Sequence, residues 1–279
     1  MATIRDLFLK GRALLKDLPN PDLEAKLLLL KSSSVSEEQF YSFPDRMLSR
    51  SQERHFYRLV SKRLTGIPNP YLTGSKEFWS IPFKVSPEVM IPRPETELII
   101  KKVMELSSRK KEVIVDIGTG CGNIAVSLAK ELPQAQIIAT DISKKSLKIA
   151  RLNASLQQIA NITFFEGSFF SPLKEEGFEQ KCDFVVSNPP YVSEDEWLKL
   201  AIEIRGHEPK EAIVAGKTGI EIIYRLIKEV RTFLKPNGFF ILEIGIGQKE
   251  EVFSFFDSEW KRVDFFTDLN GIDRVVVSQ

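Results

Sequence analysis

From residue 112 onward, apolar runs and helical segments take strict turns, and few folds accommodate that order. Val113–Ile117, 136–140, Ile162–Glu166 and 183–187 read as strands, each a short apolar run of the length a buried strand needs. Between them, 124–132 and Lys144–Leu156 read as helices, with Ser143 placed to cap the second. A further helix spans 219–234, Pro236-Asn237-Gly238 marks a turn, and 239–244 is a strand. Two last strands, near 263–266 and 274–277, meet through Asn270-Gly271. Parallel neighbours need a crossover helix, so the alternation implies an α/β fold with a mostly parallel, doubly wound sheet. The hairpin-like tail predicts one antiparallel strand at its edge.

The rest of the chain reads differently. Residues 1–66 carry Ile4, Leu7, Phe8, Leu14 and Leu15 at helical spacing, then the leucine-rich stretch 22–31, then Phe56, Leu59, Val60 and Leu64 on one stripe. Ser34 with Glu37 fits a capping box ahead of Phe40, and Gly66 suits a helix stop. This predicts a small N-terminal helical domain. Residues 67–95 are dense in proline and read as a linker carrying a β-hairpin around Phe78–Trp79 and Phe83–Val85. The third region, 96–279, opens with a helix to Leu106 and contains the alternating strands.

Composition narrows the function classes. A formal net charge of +1 offers no global field for nucleic acid. The N-terminus lacks a long apolar core of a signal peptide and no aliphatic run approaches a membrane span, so a cytoplasmic protein is expected. Cys121 and Cys182 read as buried reduced thiols, and His55 and His207 are too far apart to suggest a metal site.

The loop after the first strand runs Asp116-Ile117-Gly118-Thr119-Gly120-Cys121-Gly122-Asn123. Three alternating glycines exceed what a tight turn needs and let a ligand approach the backbone. The dinucleotide fingerprint requires glycine where Asn123 stands. Asp116 at the strand end would repel a pyrophosphate and suits a cation. S-adenosylmethionine has a sulfonium, an ammonium and no phosphate. Asp141 ends the second strand, where a carboxylate can accept both hydroxyls of a ribose.

Beyond the fourth strand comes Asn188-Pro189-Pro190-Tyr191. Strand carboxyl ends are where open α/β sheets bind ligands. The prolines fix φ and remove donors, leaving the Asn188 side-chain oxygen and nearby carbonyls as acceptors. Such a set holds a planar NH2 by its two hydrogens and favours a pyramidal nitrogen whose lone pair can reach an activated methyl carbon. Tyr191 adds a ring face for a planar substrate or a sulfonium.

Asp116–Gly122 together with Asn188–Tyr191 resembles the class I methyltransferases that modify exocyclic or amide nitrogens. Adding 72–79 (LTGSKEFW), 91–97 (IPRPETE), Glu208-Pro209 and 273–276 (DRVV), the chain resembles the PrmC (HemK) family of peptide chain release factor glutamine methyltransferases along its length. The resemblance implies a Rossmann-like class I methyltransferase sheet behind a helical substrate-docking domain. It implies methyl transfer from S-adenosylmethionine to the side-chain N5 of the glutamine in the Gly-Gly-Gln motif of class-1 release factors. Asn188 and the Pro189 carbonyl would hold the glutamine amide, with Pro190 and Tyr191 beside them. Gly118, Thr119, Gly120, Cys121, Gly122 and Asp141 would hold the cofactor. Family members usually carry an acidic residue and an aromatic one near the adenine; here Ser168 and Phe169 stand there, so the stacking ring is kept and the carboxylate is replaced by a hydroxyl. Arg93 and Glu95 are candidates for lining the substrate mouth, with an ion-paired turn as the other reading.

Three alternatives stand beside this one. DNA adenine-N6 methylation also targets a planar NH2, but needs base flipping and a grip on phosphates. Residues 1–66 hold 12 Lys/Arg against 8 Asp/Glu, only mildly basic, which suits protein docking better. Another protein's glutamine, or a non-catalytic module, would complete the set. A monomer without direct nucleic-acid contact is expected.

Overall fold

The computed structural model describes residues 2–108 and 110–279. The chain forms two compact units, one running to Ser75 and taking in Ala201–His207, the other comprising Lys76–Leu200 and Glu208–Gln279.

The first unit is helical: α1 (Ile4–Leu14), α2 (Pro21–Ser33), α3 (Glu37–Ser42), α4 (Arg50–Leu64), α5 (Asn69–Thr73) and the single turn α11 (Ile202–Arg205). Leu7, Leu28, Leu29, Phe56 and Val60 form its buried core. Reciprocal capping boxes open α1 (Thr3 with Asp6), α3 (Ser36 with Gln39) and α4 (Ser49 with Gln52). The Ser34–Glu37 box read from the sequence does not form. The leucines carry α2 on to Ser33, Ser34 closes it in the left-handed region at φ 55°, and the cap passes to Ser36. The unit continues past residue 66 because α5 is tied to α2: Asn69 Nδ2 donates to the Glu24 carboxylate at 2.7 Å and carbonyl at 3.2 Å. Arg63, only 5% exposed, is neutralised by Glu24 and Glu203 at 3.0 and 3.3 Å.

The second unit begins with the hairpin β1 (Ser75–Phe78) and β2 (Ile81–Lys84). It continues through α6 (Glu97–Leu106), β3 (Val113–Ile117), α7 (Asn123–Glu131), β4 (Gln136–Asp141), α8 (Lys144–Leu156), β5 (Ile162–Glu166), α9 (Ser171–Glu175) and β6 (Cys182–Ser187). Then come β7 (Val192–Ser193), α10 (Glu194–Trp197), β8 (Val214–Gly216), α12 (Glu221–Val230), β9 (Leu234–Glu243), α13 (Lys249–Phe253), β10 (Val263–Thr267) and β11 (Asp273–Ser278). Seven strands join in the order β10-β11-β9-β6-β3-β4-β5. The pairings β9-β6-β3-β4-β5 are parallel, and β11 runs antiparallel to both β9 and β10. The C-terminal hairpin supplies the expected antiparallel strand, but β11 lies one place in from the edge, between β9 and β10, and β10 forms the edge itself.

Pro236-Asn237-Gly238 does not end the preceding element as a free turn. It bulges within β9, where 234 to 239 span the same ladder as 182 to 184 of β6. The strands alternate between two cores. Ile114 belongs to one core with Phe83, Ile99 and Leu128, whereas Val115 and Ile117 belong to the other with Leu173, Ile223 and Val252. Each fully buried aliphatic or phenyl side chain contributes about 1.5–3 kcal/mol, so both faces are held by packing.

This topology fixes where a ligand can sit. The chain leaves β3 toward β4 and β5 on one side, then returns to β6 and β9 on the other. The loops after β3 and β6 therefore diverge at a switch point, opening a crevice at adjacent strand ends. The glycine loop follows β3 and Asn188 follows β6.

Candidate active site

The glycine loop is tied down at its base and open at its top. Gly118 and Thr119 amides both donate to the Thr140 carbonyl, at 2.9 and 2.8 Å. Gly122 has φ +84°, and a Cβ there would stand 3.1–3.2 Å from Ala150 of α8, so glycine permits the close contact. Gly118 has φ +74° with nothing within 4 Å of an added Cβ, which would point into open space above the loop. Asn153 of α8 clamps the loop to the hairpin: its Nδ2 donates to the Cys121 carbonyl at 2.8 Å and its Oδ1 accepts from the Lys84 amide at 2.7 Å. The Cys121 thiol is buried and pushed up to about 12 by that burial, which leaves it without thiolate chemistry.

Asp116 lies fully buried under the loop. Its Oδ2 accepts from the Thr119 hydroxyl at 2.6 Å, and its Oδ1 has no partner in hydrogen-bond geometry among the described residues. Burial raises the carboxyl to about 7; the Thr119 bond and a weaker interaction with the Ala125 backbone amide offset only part of that, and the Asp141 charge adds to the rise. A buried carboxyl with one oxygen free of partners among the described residues has a lone-pair site left for a ligand donor.

Asp141 stands at the end of β4. The Gly120 amide donates to Oδ2 at 2.9 Å and the Ser143 amide to Oδ1 at 2.8 Å. Burial raises its carboxyl against the pull of these two bonds. Each oxygen keeps a lone pair, so the locked carboxylate can still accept two further hydroxyls. The Gly167 amide donates to the Asp141 carbonyl at 3.1 Å, which brings the turn after β5 alongside. There Phe169 sits at φ +50°, and the Arg225 guanidinium covers its ring at 4.0 Å from the centroid. Ser168 is half-buried beside it.

Asn188 follows β6, whose last residue Ser187 donates its hydroxyl to the Ile117 carbonyl at 2.7 Å and so locks the two strand ends together. Asn188 Nδ2 donates to Thr96 Oγ1 at 2.9 Å. Pro189 is buried and Pro190 half-buried. The Tyr191 hydroxyl donates to Glu243 Oε1 at 3.1 Å; burial, then the nearby Glu243 charge, push the phenol up, so it stays protonated and is no base. Gln248 fixes the loop from behind, its Nε2 donating to the Tyr191 carbonyl at 2.9 Å.

Arg93 is engaged with the buried Glu208 at 2.5 Å, and Glu208 also accepts from the Ile91 amide at 3.1 Å. The Arg93 side chain thus anchors the linker, the ion-paired reading of this turn, and remains 31% exposed. Glu95 is half-buried, and its charge is close enough to help raise the Glu243 carboxyl. Four residues that sequence reasoning passed over, Thr96, Asn153, Glu243 and Gln248, hold the named ones in place. Their only signal is polarity out of pattern, most visibly Glu243 closing the apolar run Phe239-Phe240-Ile241-Leu242.

The arrangement fits S-adenosylmethionine. The bare Asp116 oxygen answers a cation, the open left-handed glycines leave room over the backbone, and the spare Asp141 lone pairs answer a diol. A family model described as a methyltransferase domain matches residues 108–254, and one described as the PrmC N-terminal domain matches residues 6–74. The chain is 39% identical over 264 residues to the release factor glutamine methyltransferase of Koribacter versatilis, covering 94% of this chain and 92% of that protein. It is 34% identical over 284 residues to the protein of the same name from Nitratidesulfovibrio vulgaris, covering 100% and 95%. Among solved structures, the hMettl16 catalytic domain in complex with the MAT2A 3'UTR hairpin 6 superposes with a TM-score of 0.54 at 17% identity, covering 71% of this chain and 75% of that one, a likeness of fold.

Proposed function

The chain belongs to the release factor glutamine methyltransferase family, and on that premise we propose that it methylates the side-chain N5 of the glutamine in the Gly-Gly-Gln motif of class-1 peptide chain release factors. S-adenosylmethionine supplies, when bound, a methyl group activated on a sulfonium. Gly118, Thr119, Gly120, Cys121 and Gly122 form the backbone cradle that would hold it. Asp116 would face its cationic end, Asp141 its ribose, and Ser168 and Phe169 its adenine.

The observation that carries the acceptor side is the polarity of Asn188. Its Nδ2 is committed to Thr96, which leaves Oδ1 to accept. The Pro189 carbonyl accepts no hydrogen bond from another described residue and stands next to it in the chain. Two acceptors side by side suit the two hydrogens of a primary amide. Held that way, the nitrogen is fixed in one orientation, and orientation of this kind supplies up to about 7–11 kcal/mol in the best cases. Pro190 and Tyr191 wall the acceptor pocket, and Arg93 and Glu95 border it through the linker.

The protein acts, in this reading, as a cytoplasmic monomer on a protein partner, without direct nucleic-acid contact. The net charge of +1 supports that, and no helix among the described residues is long and apolar enough to cross a membrane. The experiment is methyl transfer from labelled cofactor. Unmodified release factor is expected to take the label, and a Gly-Gly-Ala variant and duplex DNA are expected to stay blank. Label in the DNA with none in the factor would reverse the assignment.

A further inference from the structure

Glu243 ends β9 with its side chain buried, 1% exposed, and each carboxylate oxygen takes one hydroxyl. Thr96 Oγ1 donates to Oε2 at 2.7 Å and the Tyr191 hydroxyl donates to Oε1 at 3.1 Å. In its ionised form the carboxylate has no proton to give, so above about pH 7 both hydroxyls must point their hydrogens at it. The Thr96 oxygen is then left with lone pairs only. Of the two ends of the Asn188 amide, just the NH2 can meet it, at 2.9 Å. Had Thr96 been free to turn its hydrogen the other way, the Asn188 oxygen could occupy the same place, and the amine end would face the pocket.

We infer that Glu243, acting through Thr96, is the positioning residue that decides which end of the Asn188 amide faces the methyl acceptor. The residues come from three separate elements: Thr96 from the turn before α6, Asn188 from the end of β6, Glu243 from the end of β9. The β6–β9 register pairs Ser187 with Leu242, so Asn188 and Glu243 each lie one step beyond that pair. The relay therefore depends on adjacent parallel strands ending together, and it costs the protein a carboxylate taken wholly out of water. Burial pushes that carboxyl up to about 7, opposed by the Thr96 and Tyr191 bonds and by Arg274 of β11, with Glu95 adding to the rise. An apolar residue there would pack at lower cost and would leave the Asn188 amide undirected.

The inference rests on the reading of Asn188 as an amide acceptor. Glu243→Gln can donate to Thr96 and so releases the constraint. It is expected to lower kcat on release factor about 10- to 100-fold, the loss of a hydrogen bond to a charged group, with cofactor affinity within about twofold of wild type. Thr96→Val should lose a similar factor, Thr96→Ser should recover most of it, and the Thr96→Val/Glu243→Gln double variant should be no worse than the weaker single. A purely structural role would show instead as a fall in thermal stability with kcat kept, or as losses that multiply.

A second readout needs no substrate. The Asn188 side-chain NH2 signals, assigned by their absence from Asn188→Ala, should exchange slowly with water in the wild type and faster in Glu243→Gln and Thr96→Val. Equal exchange in all three proteins would overturn the inference, as would wild-type kcat in Glu243→Gln. If the exchange pattern holds while wild-type enzyme fails to label the factor, the relay stands and the substrate reading is what fails.

Discussion

Asp116 offers a test that separates cofactor recognition from methyl transfer. Its carboxyl is fully buried, Oδ1 has no hydrogen-bond partner among the described residues, and burial raises it from 3.8 to about 7. Three pH units at 1.36 kcal/mol each put the cost of ionising it at about 4 kcal/mol. Since the folded value lies above the unfolded one, the native state holds the extra proton between them, and stability of the unliganded protein declines as pH rises from about 4 through 7. A bound cation favours the ionised form and pulls the value back down. Cofactor binding should therefore expel close to one proton at pH 5–6 and almost none above pH 8. Affinity should climb with pH by up to about tenfold per unit until it levels near 7. Titration calorimetry in two buffers of different ionisation enthalpy counts the proton directly. Asp116→Asn should abolish the release and flatten the affinity profile. Wild-type binding without proton release between pH 5 and 7, or an Asn variant that keeps the release, would refute the assignment of Asp116 to a ligand cation.

Other outcomes follow from single contacts. Asn188→Ala should lower kcat about 10²–10³-fold, the usual loss when one polar group on a reacting centre is removed, with cofactor binding by calorimetry retained. Gly122→Ala meets both a left-handed φ and the Ala150 contact at 3.1 Å, and thermal unfolding should report a loss of about 2–3 kcal/mol. Gly118→Ala carries the φ penalty alone, about 1–2 kcal/mol, yet its Cβ enters the cradle, so cofactor affinity should drop by more than stability accounts for. In the helical unit, Glu24→Ala strips Arg63 of its 3.0 Å partner while Arg63 stays buried, and should cost about 3 kcal/mol in unfolding measurements.

The strands of the sheet were legible because each is an apolar run bounded by a punctuating residue. Val113–Ile117 and Ile162–Glu166 appear in the structure at the ends read from sequence. Where a signal was ambiguous, packing chose. Both Ser34 and Ser36 can cap a helix, and the leucines of α2 used up the first. Pro236-Asn237-Gly238 is turn chemistry, but the β6–β9 ladder resumes beyond it and absorbs it as a bulge. The stretch between Tyr191 and Gly219 gave no helix or strand reading, since β7, α10, α11 and β8 run two to four residues each and are too short to show a period.

The candidate site divides along the same line. Asp116, the glycine loop, Asp141 and Asn188–Tyr191 each lie at or just beyond the carboxyl end of a strand, so position alone marks them. Thr96 meets Asn188 across 92 residues and Glu243 across 147, contacts that exist only once the strand order is known. A buried carboxylate at the end of β9 reads, in sequence, like any polar residue at the edge of an apolar run.

The most direct measurement is a crystal structure of the protein with S-adenosylhomocysteine and a Gly-Gly-Gln peptide. The account predicts the glutamine nitrogen within hydrogen-bond reach of Asn188 Oδ1 and the Pro189 carbonyl, facing the cofactor sulfur, with Asn188 Nδ2 still on Thr96. A glutamine amide lodged elsewhere in the crevice, or an Asn188 amide turned to present its nitrogen, would contradict it.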